Sequence, residues 1–440
     1  MPFRKFFDRS AKPGPDAAEA KGEAEDGDES SDVDPESEPE EAAAVDWRGR
    51  AVHVLPTGAS TGSKRPAALY GSDDAIGPTH YSGAVGCRVF DVDGNEYVDC
   101  TMALGSVALG YAEPTVTRAV IDAASNGNVS ALSDYREIEL AERLCEVIPC
   151  AEMVQFLKSG AEASSAAVRI ARTYTGRDIV IGCGYFGWHD WSSTAAGVPA
   201  ATRGTYRTIP FNDIPALEAA VAAAGQQLAA IILEPVIERM PEPHWVMRAR
   251  ALCDSTGAAL IFDEIKTGFR LSTGGYQEYS QITPDLAAFG KAMANGYPLS
   301  AIVGKRSLME AARATWISST LASESTALAA AGAVLDWHEQ ADICGSLASI
   351  GLEQRESLTA AIKASAVTGV TVDGIDHMWM LRWDTPAREQ RFLELAAGQG
   401  VLFKRGAYNY PAIAHDADIN RRIEAAASAA FIELRDEDSP

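Results

Sequence analysis

The chain has 440 residues, 47% of them hydrophobic, and a formal net charge of −23. That length supports a large buried core, and no apolar run approaches the length a membrane span needs, so an integral membrane protein is not expected. The acidic balance argues against non-specific nucleic-acid binding, which depends on cations set against phosphates.

The charge is uneven along the chain. Residues 1–46 carry 15 Asp and Glu against 5 Lys and Arg, a net of −10, which leaves −13 for the remainder. This stretch has too few large apolar residues to offset its ordering entropy and is expected to be a disordered acidic tail, with an interaction arm as the alternative. Its basic, aromatic start lacks the long apolar region and cleavage site of a secretory signal, and the acids that follow do not suit a transit peptide. The seven cysteines, at 87, 100, 145, 150, 183, 253 and 344, are odd in number and form no C-x-x-C pair. They predict reduced thiols in a cytoplasmic setting, with neither a disulfide framework nor a metal site.

Order is expected from about Trp47. Residues 86–100 predict two strands around an Asp93-Gly94-Asn95 turn. Leu140, Leu144 and Ile148 recur on one face of an amphipathic helix that Pro149 ends. From there strands and helices alternate. "EMVQFLK" predicts a strand and "AEASSAAVRIARTYTG" a helix closed by Gly176; "DIVIG" and "LAAIILEP" predict strands separated by the helix "DIPALEAAVAAA". "HWVMRARALCDSTG" then reads as a helix, and "AALIFDE", "DLAAFG" and "SAIVG" as strands. The pattern is that of an α/β fold, a mostly parallel central sheet flanked by helices. After about residue 330 alanine-rich helices and two further strands predict a smaller α+β domain. The expected division is a tail at 1–46, a segment at 47–95 serving the small domain and the mouth of the site, a large domain at 96–330 and a small domain at 331–440.

Ligands of open α/β sheets bind beyond the carboxyl ends of the strands. Three predicted strands here end in an ionisable residue: Glu234, Asp263 and Lys291. A fourth runs into Ser159-Gly160-Ala161 and a helix start, whose free N–H groups suit a phosphate. Each feature alone has a plain reading: a snorkelling lysine, a strand-end turn, an empty helix start. Together, an amine, an acid and a phosphate cradle on one rim fit pyridoxal phosphate, which needs an amine for its Schiff base, an anion beside its ring nitrogen and donors for its phosphate. Two charges about 4 Å apart at an effective dielectric near 20 interact by roughly 4 kcal/mol, about 3 pKa units before desolvation, enough to keep that nitrogen protonated.

The segments "ALIFDEIKTGFR" (259–270), "FGKAMANGYPLSAIVG" (289–304), "FLKSGAEASSAAVRIARTYTGR" (156–177) and "VFDVDGNEYVDCTMALGSVALGY" (89–111) resemble the class III aminotransferases. These form the fold-type I pyridoxal-phosphate group that includes glutamate-1-semialdehyde aminomutase, and the resemblance runs from about residue 54 to 435. It implies the PLP-dependent transferase fold and pyridoxal 5'-phosphate as cofactor. It also implies Lys291 as Schiff-base lysine and proton shuttle, and Asp263 as partner of the ring nitrogen. Ile265 would lie on one ring face and Tyr185 on the other, with Ser159, Gly160 and Ala161 at the phosphate. Thr320, in a segment that reaches across a homodimer, would touch the partner's phosphate. Phe186 stands where the family commonly has histidine, and "IERMPEPHW" replaces a glycine-rich run.

Substrate contacts are expected among Arg65, Trp188, Glu234 and Arg405, each equally readable as a structural or solvated group. His189 and His415 are lesser candidates near the presumed mouth. The expected partners are a small-molecule amino donor and a carbonyl acceptor, with intramolecular amino transfer as the alternative. From another class, the fold could serve as a non-catalytic binding protein, against which the intact Lys291 and Asp263 weigh. A nucleotide-dependent dehydrogenase lacks its G-x-G-x-x-G fingerprint here.

Overall fold

In the computed structural model, which describes residues 45–437, the strands form three sheets. In chain order they are β1 Tyr81–Val85, β2 Arg88–Asp91, β3 Glu96–Asp99, β4 Met153–Leu157, β5 Ile179–Cys183, β6 Tyr206–Thr208 and β7 Leu228–Leu233. There follow β8 Ala259–Asp263, β9 Leu286–Phe289, β10 Ser300–Gly304, β11 Val370–Ile375, β12 Met378–Trp383 and β13 Val401–Leu402. All but the last two residues of the acidic stretch 1–46 lie outside the described residues. From Trp47 onward the chain forms one compact unit. No helix among the described residues is long and apolar enough to cross a membrane.

The central sheet has the order β4-β10-β9-β8-β7-β5-β6. Strands β6, β5, β7, β8 and β9 pair in parallel, and β10 runs antiparallel to both β9 and β4. Six strands therefore point one way, and their carboxyl ends share one rim. β7 and β8 are buried at every position, as expected for strands covered on both faces. One face packs under the helix Gly160–Thr175, whose buried side carries Ala161, Ala163, Ala166, Ala167 and Ala171 beside Ser164, Val168 and Ile170. Small side chains let that helix lie close to the sheet. Its start is set by a capping box between Ser159 and Glu162, and its end by Gly176 at φ 65°.

A second sheet, β1-β2-β3-β13, joins the N-terminal segment to the C-terminal part of the chain. The β2–β3 turn forms because Asp91 Oδ1 accepts the N–H groups of Asp93 and Asn95, with Gly94 at φ 86°. The edge strand β6, β1 and the two-residue β13 carry little apolar alternation. Only their pairing with a neighbour defines them.

Between β3 and the helix Pro114–Ser125 the backbone takes an uncommon path. Met102, Ala103 and Leu104 have φ of 42°, 49° and 60°, the left-handed region that costs most non-glycine residues about 1–3 kcal/mol each. Two buried side chains hold this stretch. Arg270 donates to the carbonyls of Gly105 and Pro411, at 3.2 and 2.9 Å. Asn295 accepts the N–H groups of Ala108 and Leu109, both at 3.0 Å, and donates to the Gly110 carbonyl at 3.0 Å. Asn295→Ala leaves three buried backbone groups unpartnered and is expected to cost about 2–4 kcal/mol. A thermal melt should fall by several degrees; an unchanged melting temperature would remove Asn295 from this clamp.

Candidate active site

A cavity of about 770 Å3 opens at the carboxyl rim of the central sheet. Its lining includes Ser159, Gly160, Ala161, Tyr185, Trp188, Glu234, Asp263, Ile265 and Lys291. Parallel neighbours explain the gathering: β4 leads into Ser159, β5 into Tyr185, β7 into Glu234, β8 ends in Asp263, and β9 leads into Lys291. A larger groove of about 990 Å3 lies between the helices Pro114–Ser125, Tyr135–Val147 and Ser325–Gln340, lined by arginine–carboxylate pairs such as Arg143–Asp336 at 2.8 Å. It gathers none of the candidate site residues named above.

Asp263 is 4% exposed. Its carboxylate accepts from the Ser164 hydroxyl at 3.0 Å and from the Ile265 N–H at 3.1 Å. Burial, and next the charge of Glu234, push its pKa up to about 7, against the pull of those two donors and of Lys291. Lys291 follows Gly290 at the end of β9 and sits at φ 49°, left-handed for a residue with a Cβ. Such strain collects where the surrounding structure imposes a side-chain direction. Burial, and next the Lys266 ammonium, bring its pKa down to about 8, so a substantial share is neutral amine near physiological pH. Only the neutral amine is nucleophilic.

The helix start supplies donors. Ser159 is the N-cap, with its hydroxyl and N–H both turned to Glu162, at 2.9 and 2.8 Å. Gly160 and Ala161 open the helix, where N–H groups have no acceptor within the helix. A Cβ at Gly160 would come within 2.5 Å of Ile265 Cδ1, so any larger residue would push the tip of the isoleucine aside. Tyr185 and Trp188 stand 74% and 75% exposed at the mouth. The buried Phe186 packs on Trp191, and His189 bonds Ser165, which roots the 184–191 loop on the helix.

Three other expected residues lie outside this cavity's lining. Thr320 is on an exposed turn. Arg65 caps the short helix Pro66–Tyr70, and Arg405 faces Glu389 at 3.8 Å. His415 is buried, accepting the Ala412 N–H, and burial pulls its pKa to about 4. The cavity also holds residues that sequence reasoning passed over: Ser106, Lys158, Lys266, Tyr297, Tyr408 and Tyr410. Lys266 lay in plain view three residues after Asp263. Ser164, the hydroxyl on Asp263, sits one turn beyond the phosphate-loop glycine, on the helix face toward the sheet.

A buried acid, an amine of lowered pKa and a helix start, set around one cavity of this size, match what pyridoxal phosphate requires, so the residues present fit the group. The geometry and the sheet order define a fold-type I enzyme. The class-III aminotransferase family profile matches residues 71–185 and 188–413, and the chain belongs to that family. Pyridoxal phosphate is the cofactor of this class. Among curated relatives, a 3-aminobutyryl-CoA aminotransferase of Cloacimonas acidaminovorans is 35% identical over 335 residues, 74% of this chain and 80% of its own length. A glutamate-1-semialdehyde 2,1-aminomutase of Anaeromyxobacter sp. is 35% identical over 394 residues, 81% of this chain and 91% of its own. The solved FumI protein of Sphingopyxis sp. MTA144, in its PLP internal aldimine form, superposes with a TM-score of 0.85 at 26% identity, covering 90% of this chain and 97% of that one.

The raised pKa of Asp263 has a stability consequence for the cofactor-free protein. Above its unfolded pKa near 3.8 the unfolded chain has released this proton while the folded protein still holds it. Its contribution is therefore complete below about pH 4 and is lost as pH rises through about 7, by a few kcal/mol in all. Asp263→Asn should abolish that part of the decline, leaving the share of the neighbouring Glu264 in both proteins. Parallel pH–stability curves for the two would contradict the assignment.

Proposed function

We propose that the protein transfers an amino group from a small-molecule amine donor to a carbonyl acceptor, with Lys291 as the residue that carries the cofactor and moves the proton. The observation that carries this reading is the convergence of Lys291 and Asp263 on one cavity at adjacent carboxyl ends of β9 and β8. When bound, pyridoxal phosphate supplies an electron-poor ring that stabilises negative charge on the carbon bearing the amine. Lys291 Nζ, partly neutral near pH 8, accepts a proton there and returns it. Asp263, held by Ser164 and Ile265, would serve the ring nitrogen, while the N–H groups of Gly160 and Ala161, at the N-cap Ser159, would hold the phosphate. Ile265 and Tyr185 would hold the ring. Trp188 and Glu234 are the substrate-side groups; Arg65 and Arg405 take part only if the segments bearing them move toward the cavity.

The aminomutase relative, which aligns with 81% of this chain, favours a second reading in which donor and acceptor are one molecule. Lys291→Ala should lower turnover by at least about a thousandfold while leaving the fold intact by circular dichroism. Borohydride reduction of the loaded wild-type enzyme should tag Lys291 in a peptide map, and full activity in the alanine variant would end the proposal. Transfer between two molecules predicts a free keto product from an amino acid or ω-amine; its absence together with isomerisation of an amino-aldehyde would select the mutase.

The enzyme is further proposed to work as a homodimer in the cytoplasm. Trp316 and Leu321, 84% and 50% exposed, flank Thr320 and offer apolar surface for a second copy. All seven cysteines are free, which suits a reducing compartment. Light scattering should give about twice the 46.7 kDa chain mass; a strict monomer with full activity would exclude a shared site.

A further inference from the structure

Lys266, one of three lysines lining the cavity, lies in the turn after β8, and its side chain is only 9% exposed. Its Nζ lies 2.6 Å from Glu234 Oε1 and 4.3 Å from the centre of the Tyr408 ring. The other oxygen of Glu234, Oε2, accepts the Tyr185 N–H at 3.1 Å. The Tyr408 hydroxyl accepts the Glu238 N–H at 2.8 Å. A continuous chain of contacts thus runs from Tyr408 in the C-terminal part, through Lys266 and Glu234, to the backbone of Tyr185. All four of these residues line the cavity.

Tyr185 depends on this chain more than its neighbours do. The residue is 74% exposed, so packing does not fix its side chain, and it is flanked by Gly184 at φ 137° and Gly187 at φ 91°, whose backbones lie against Glu234 and Ala161. Phe186 and His189 root the loop on the far side of Tyr185, and the bond to Glu234 is the anchor of its own backbone N–H. Glu234 in turn is a largely buried carboxylate whose direction is set by the cation on its other oxygen. Burial opposes the charge of Lys266, but Glu234, together with Tyr408 and Tyr410, more than offsets that and keeps the lysine protonated.

We infer that Lys266 is a positioning residue of this site: by clamping Glu234 between Tyr408 and the Tyr185 backbone, it sets the aromatic wall against which the cofactor ring is held. This rests on the pyridoxal-phosphate reading above. A second consequence follows from charge. Lys291 is faced by Glu234, Asp263, Lys266 and Arg270. With Lys266 in place, Glu234 is committed away from Lys291; with Lys266 gone, Glu234 is released toward the remaining ammonium and stabilises its charge.

The test compares Lys266→Met, Lys266→Arg and Glu234→Gln/Lys266→Met with wild type and Glu234→Gln. Two readouts serve, neither of them activity: the dissociation constant of pyridoxal phosphate from the cofactor-free protein, titrated by tryptophan fluorescence, and the pH midpoint of Lys291 acetylation by trace acetic anhydride, read by peptide mass spectrometry. Lys266→Met should weaken cofactor binding about tenfold, the scale of one lost charged hydrogen bond, and move the Lys291 midpoint upward by about one unit. Lys266→Arg should restore both toward wild type. In the Glu234→Gln background, Lys266→Met should add little, because the pair acts as one unit.

Unchanged affinity and midpoint in Lys266→Met would overturn the inference, as would equal effects in both backgrounds. If the buried unpaired Glu234 prevents Lys266→Met from folding, the double variant, which leaves no unpaired charge, and Lys266→Arg decide it: the inference falls if the double variant binds the cofactor much more weakly than Glu234→Gln alone, or if arginine restores nothing. Wild-type protein that binds no pyridoxal phosphate would defeat the cofactor reading itself, a distinct outcome.

Discussion

A carboxylate buried at the end of β8, hydrogen-bonded only by neutral groups, is the constraint around which this molecule is arranged. Asp263 takes its two hydrogen bonds from a hydroxyl and a backbone N–H, and burial pushes its pKa to about 7. Charge at that position is costly by itself and becomes favourable once a cation stands beside it. The parallel sheet then does the rest. Strands flanking β8 in parallel must end on the same rim, so Glu234 and Lys291 arrive beside Asp263 without any loop reaching over.

Holding that rim has a conformational cost, visible in the backbone. Lys291 sits in the left-handed region, and so do Met102 to Leu104 next to the cavity residue Ser106. These conformations persist because buried polar side chains tie them down. Asn295, four residues after Lys291, binds three backbone groups of the 108–110 segment, and Arg270, from the turn after β8, binds the carbonyls on either side of Ser106. Asn295 therefore joins the lysine's loop to the 108–110 segment, and Arg270 holds the adjoining residues around Ser106.

The segment "IERMPEPHW" is held by its own contacts. Glu238 adopts φ 58°, a conformation glycine takes without strain, and is held there by its N–H bond to Tyr408 and its ion pair with Arg382 at 2.9 Å. Tyr408 thereby supports Glu238 and Lys266 together. The segment is thereby pinned to the C-terminal part of the chain.

The elements whose apolar periodicity is strong were legible from residues alone: the helix Gly160–Thr175 with its Ser159 cap and Gly176 stop, the buried strands β7 and β8, and the strand-end positions of Asp263 and Lys291. Those features are local, written in neighbours a few positions apart. The edge strand β6, the two-residue β13 and the Arg270–Asn295 clamp were not legible, because each exists only through partners up to some three hundred residues away along the chain. The same holds in the site. The amine and the acid could be named from order along the chain, but that Lys266 joins Glu234 to Tyr408, that Ser164 holds Asp263, and that Arg65, Arg405 and Thr320 stand outside this cavity's lining were decided only when the sheet and its crossovers brought distant carbonyls, rings and charges within contact.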